Sequence, residues 1–238
     1  MNSTNNISAR ESFKQAREMF YIAMRDKFEA GEIGNRKCKE WVNGLKLSQG
    51  DVRFEVELNA NNNIYTFGVT PNQANTNNIV FPTERRLPLQ DSICGTEITI
   101  EVCKPASRTS TAFQLRSYGN TIDFTAAAAA AINSTLYSNG AFAMKVNNDV
   151  VIPYRAMKKF WYKPQTQQTA PLAAGSPDDQ YRGAEDATVT LEPNLVLIGS
   201  KNNEPQLILP SALAVVDEFT RVVITVSGPY AQNSTVVN

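Results

Sequence analysis

The sequence predicts a mainly β protein: an antiparallel β-sandwich body preceded by an amphipathic helix and interrupted by one short alanine-rich helix. Three observations carry that class. From Asp51 the apolar residues recur with period two, Val52, Phe54, Val56 and Leu58 alternating with Arg53, Glu55 and Glu57. Residues 186–230 break into short β-branched runs punctuated by proline and glycine about every ten residues, the spacing of a sandwich or barrel. Strand-like and helix-like segments do not alternate regularly, which disfavours a parallel doubly wound sheet.

The elements follow in chain order. Ser8 and Glu11 have the spacing of a capping box, and Phe13, Ala16, Phe20, Ala23, Met24 and Phe28 then share one helical face, predicting a helix of about six turns ended by Gly31. Its apolar stripe is wider than a lone helix leaves in water, so something must cover it. Residues 1–50 are therefore expected to form an N-terminal helical arm, and 51–238 a β-sandwich domain. The first strand, DVRFEVELNA, is expected to turn at the asparagine run 61–63 and pair with NIYTFGVT as a hairpin, one face buried and the other wet. Residues 71–92 predict a long loop with a short strand at NIVF. Further strands are expected at CGTEITIEVCK, FQLRSYG, GAFAMKVNN, DVVIPYRAM and KKFWYK, with a tight positive-φ turn at Asn147 and Asn148. FTAAAAAAINSTLY is the densest block of helix formers, bounded by Asp123 and by Asn139-Gly140. DATVTLEP, NLVLIGS, QLILP and RVVITVSGPY complete a set of about nine or ten strands. Between them, 164–187 has no apolar period and several prolines and small residues, so it reads as an extended arm that orders on a neighbour.

Composition narrows the function. Lys and Arg total 23 against 23 Asp and Glu, so no global field draws the chain to a polyanion or an acidic membrane. The polar N-terminus lacks the regions of a signal peptide, and no eighteen apolar residues run together, predicting neither standard export nor a membrane span. The three cysteines, Cys38, Cys94 and Cys103, suggest neither a disulfide framework nor a zinc site.

The chain has no histidine, and so lacks the usual general base, the partner of serine and cysteine nucleophiles, and the commonest transition-metal ligand. No cofactor fingerprint is present, and the expectation is a protein that is not an enzyme and needs no cofactor. The carboxylate pairs Asp178-Asp179 and Glu185-Asp186 fall in the unpatterned arm, where nothing desolvates them into acid and base roles. Gly199-Ser200-Lys201 lacks the second glycine of a phosphate loop and reads as a turn. Arg155, Lys158, Lys159 and Lys163, interleaved with Tyr154, Phe160, Trp161 and Tyr162, have two readings: a contact for single-stranded nucleic acid, or lysines that guard an edge strand.

The N-terminal amphipathic arm, the β-rich body, the segments NNDVVIPY and KPQTQQT, and the ending LEPNLVLIGSKNNEPQLILPSAL through VVITVSGPYAQN together resemble structural proteins of bacteriophage virions, in particular jelly-roll-type capsid proteins. The resemblance implies a jelly-roll-like body and a shell subunit, made in the host cytoplasm and residing in the virion. Its partners would be copies of itself and other virion proteins, with at most a weak genome contact. On this reading the subunit contacts are the helix residues Phe13, Phe20, Met24 and Phe28, the arm residues Gln165, Thr166, Gln167 and Gln168, and Trp161 at the edge. The alternative is a virion spike or surface adhesin that binds a receptor or carbohydrate, with Trp161, Tyr162 and Tyr181 as its aromatic patch.

Overall fold

The computed structural model describes residues 4–29, 42, 44–163 and 187–234. The body is mainly β: two antiparallel sheets of four strands each. The strands are β1 (Leu47–Glu57), β2 (Ile64–Thr66), β3 (Ser92–Cys103), β4 (Ala141–Val146), β5 (Asp149–Ala156), β6 (Val189–Ile198), β7 (Asn203–Ile208) and β8 (Arg221–Ala231). One sheet has the order β1-β8-β3-β6 and the other β2-β7-β4-β5.

The pairing has a simple logic. β4 and β5 form a hairpin whose turn, Asn147 and Asn148, has φ of 49° and 71°, as a tight turn between right-twisted strands requires. Outward from that turn, β3 pairs with β6, β2 with β7 and β1 with β8, all antiparallel. The chain is thus one long hairpin rolled up, and the pairings β3 with β8 and β4 with β7 join its turns. The main hydrophobic core takes side chains from both sheets, including Val52, Phe54 and Val56 of β1, Ile98 and Ile100 of β3, Phe142 and Met144 of β4, and Leu207 of β7.

The expected hairpin between residues 51–58 and 64–70 does not form. β1 instead pairs over its whole length with β8, Leu47 opposite Ala231 through Glu57 opposite Arg221, whereas β2 has three residues and joins the other sheet. Alternation assigns a strand its faces but not its partner, and the eleven-residue β8 satisfies far more of the backbone of β1 than β2 could. β1 also begins at Leu47, ahead of the period change at Asp51. NIVF is loop, FQLRSYG contributes one bridge from Arg116 to Val102, and DATVTLEP with NLVLIGS is the single strand β6. KKFWYK is a 3-10 turn, Met157–Phe160, that buries Phe160 against Phe142. Gly199-Ser200-Lys201 is, as expected, the turn between β6 and β7.

The alanine block is helical from Ala126 to Ala131 (α2), with Thr125 rather than Asp123 as its cap, and continues as a π-helical turn, Ile132–Ser138. Ala128, Ala129 and Ala131 are buried, so the thin face lets the helix backbone approach the core closely.

The N-terminal helix α1 spans Thr4–Glu29. It starts ahead of the Ser8 box because residues 4–7 contain no glycine or proline to stop it; Gly31 lies outside the described residues. Part of its apolar stripe is covered by the chain itself. Ala16 and Phe20 are fully buried with Leu45, Cys94, Ile198 and Ala231, and Met19 and Ala23 pack beside them. Phe20 is therefore not a free subunit contact, because its own sheet already removes it from water. Phe20→Ala is expected to cost about 3 kcal/mol of folding stability, measured by urea denaturation; a residue reserved for a neighbouring copy would leave the monomer's stability unchanged.

Candidate functional site

β5 and β6 are edge strands of the two sheets, each hydrogen-bonded among the described residues on one side only, β5 to β4 and β6 to β3. Each carries a proline, Pro153 and Pro193, which removes one ladder donor, as edge strands do to discourage further pairing. Between them lies an open groove of about 440 Å³. Val151, Tyr154, Arg155 and Lys159 line one side, and Glu192 and Pro193 the other. Tyr154 is 74% exposed and Val151 46%, so an aromatic and an apolar side chain stand open on this edge strand.

This edge gathers several of the residues singled out in the sequence. Arg155 and Lys159 face the groove, Lys158 is exposed on the adjoining 3-10 turn, Trp161 is 44% exposed just beyond it, and Lys163 is exposed at the end of that stretch. Phe13 is half-buried on α1. The side chains of Met24 and Phe28, the arm residues Gln165, Thr166, Gln167 and Gln168, Tyr181, the carboxylate pairs 178–179 and 185–186, and Cys38 lie outside the described residues. Sequence reading missed the opposing wall. Its signal was Pro193 inside a strand-like run, which marks β6 as an edge just as Pro153 marks β5.

A second constellation was also missed. Glu55, expected on the wet face of β1, is fully buried. It forms a 3.1 Å ion pair with Arg221, itself fully buried, and a 2.8 Å pair with Arg53, and it accepts a hydrogen bond from the Thr83 hydroxyl. Arg221 donates to the carbonyls of Ser107 and Arg108, and its guanidinium lies 4.0 Å from the centre of the Phe81 ring. The loops 81–86 and 104–118 thus cover the outer side of β1 and β8 and convert an exposed charge into a buried one. The partners of Glu55 and Arg221 are residues of the same chain, so the cluster fastens loops, although the Arg221 Nε atom is buried without a hydrogen-bond acceptor, as is Arg53 Nη2 apart from its ion pair with Glu55.

Compared with protein-family models, with curated proteins and with solved structures, the chain matches none. Among the described residues there is no group of three histidine, cysteine, aspartate or glutamate side chains placed to hold a metal ion, and no helix long and apolar enough to cross a membrane.

Both described cysteines are free and buried. Burial pushes the Cys94 thiol up to about 11. Burial, reinforced by the nearby Glu55 carboxylate, pushes Cys103 up to about 12. Since the thiolate is the reactive form, neither should react at neutral pH while the protein is folded. In a Cys38→Ser background, a thiol-reactive dye at pH 8 is expected to label nothing until denaturant is added; rapid labelling of the native protein would show that the sheet opens there. Glu55→Ala would leave Arg221 buried without its counter-charge and should cost about 3–5 kcal/mol in urea denaturation.

Proposed function

We propose that the protein is a structural subunit of a virus particle of the bacteriophage kind, folded as a jelly roll and assembling with copies of itself. The observation that carries this reading is the strand order β1-β8-β3-β6 beside β2-β7-β4-β5. A single hairpin rolled into two four-stranded sheets is the plan of the double Greek-key jelly roll, an architecture of viral capsid domains and also of lectin domains and cupins. The composition supports the capsid member of that set: no histidine among 238 residues and balanced charge. Such a chain carries little of the usual equipment for proton transfer, and much of its distinctive surface lies at an edge suited to another protein. Its partners on this reading are copies of itself and other particle proteins, and its place is the virion.

A second reading, a receptor- or carbohydrate-binding spike, is favoured by the exposed Tyr154 and Trp161, since aromatic side chains at an open edge also suit sugar faces.

Size-exclusion chromatography with light scattering, followed by negative-stain microscopy, is expected to show the purified full chain associating into regular oligomers or shells. A monodisperse monomer at every concentration that binds a glycan array would overturn the shell reading in favour of the spike.

A further inference from the structure

We propose that the edge formed by β5 and β6 is a twofold contact between two copies of this chain, the basic wall of each meeting the acidic wall of the other. The inference rests on the assembly reading above and names the surface that serves it.

Charge is the first argument. Among the described residues Arg155, Lys158 and Lys159 make no ion pair, whereas Arg53, Arg85, Arg86, Arg108, Arg116 and Arg221 each have a carboxylate partner. The other wall holds Glu192, and Glu97 stands opposite Thr190 in the neighbouring register of β3 and β6. Both glutamates are exposed, and among the described residues neither has an ion-pair partner. A surface basic on one side of an axis and acidic on the other is complementary to itself after a half turn, which is the requirement of an isologous dimer. A polyanion suits it less well, because Glu192 shares the groove with Arg155 and Lys159 and would repel phosphates.

Apolar surface is the second argument. Val151 and Tyr154 lie exposed in the same groove, and an aromatic anchor flanked by charges is the usual make-up of a protein contact. The prolines are the third. Pro153 and Pro193 interrupt the donor row of each edge, so copies meet through side chains and not through an open-ended ladder. The contact can close on itself without growing into a fibre.

A charge-swap series on the full chain tests this, with self-association read by sedimentation velocity over a concentration range. Arg155→Glu with Lys159→Glu is expected to weaken association at least about tenfold, as is Glu192→Lys alone, because each places like charges face to face. All three substitutions together are expected to restore association to within about threefold of the starting protein, since the walls then exchange sign. Unaltered association in both reversed variants, or failure of the triple variant to recover, overturns the contact. Should a reversed variant melt more than about 5 °C lower by circular dichroism, Arg155→Gln with Lys159→Gln replaces it, with weakened association still required. A chain that assembles but ignores every swap sinks this contact alone, whereas a chain that never associates sinks the assembly reading with it. A fluorescent oligothymidine that binds the starting protein and is lost in the Arg155→Glu and Lys159→Glu variant, with association unchanged, would assign the cations to nucleic acid and likewise overturn the proposal.

Discussion

Antiparallel pairing of each strand with its mirror position in the chain, outward from the turn at Asn147 and Asn148, is the constraint on which the rest of the structure depends. Because β4 and β5 meet first and β1 and β8 last in sequence separation, the outer pairs are long-range contacts whose loop-closure cost is offset only when both sheets share a core. The eleven-residue ladder between β1 and β8 and the core packed across both sheets are thus interdependent. Rolling the hairpin also decides which strands are interior: β8 and β3 in one sheet, β7 and β4 in the other.

The same rolling explains the charged residues on the outer side of β1 and β8. Loops that connect strands of different sheets must cross over an end or a face, and here 81–86 and 104–118 settle on Glu55 and Arg221. A buried charge is tolerated only with its lone pairs and protons engaged, and Glu55 has two arginines and a hydroxyl to engage them. At the other end of the same sheet α1 performs the corresponding service with apolar side chains, laying Phe20 over Cys94, Ile198 and Ala231. An outer sheet face is thereby closed at both ends by the chain's own segments. Exposed Val150, Val151, Tyr154 and Trp161 lie on or beside β5 together with Arg155, Lys158 and Lys159, which is why the assembly reading turns on that edge rather than on the helix.

Much of the local structure was legible in the sequence, and part of the edge was too. The amphipathic period of α1, the alternation of Val52, Phe54 and Val56, the Asn147-Asn148 turn and the basic, aromatic cluster around Tyr154 are all set by neighbours in the chain. Three kinds of information were not legible. The partner of β1 depends on a segment more than 160 positions away; the burial of Glu55 depends on two loops folding over it; and Glu192 joins Arg155 only because β5 and β6 end neighbouring sheets.

The sequence by itself therefore determined the class of the strongly periodic elements, α1, β1 and β8 among them, and the side on which their apolar residues lie, because period and turn chemistry act over a few residues. The short runs NIVF, FQLRSYG and KKFWYK were too brief for period to decide. Only the tertiary structure decided which strands are neighbours, which charges are buried and which edge stays open. Those outcomes are choices among competing long-range pairings, and they are made by the backbone hydrogen bonds and the shared core that each pairing satisfies.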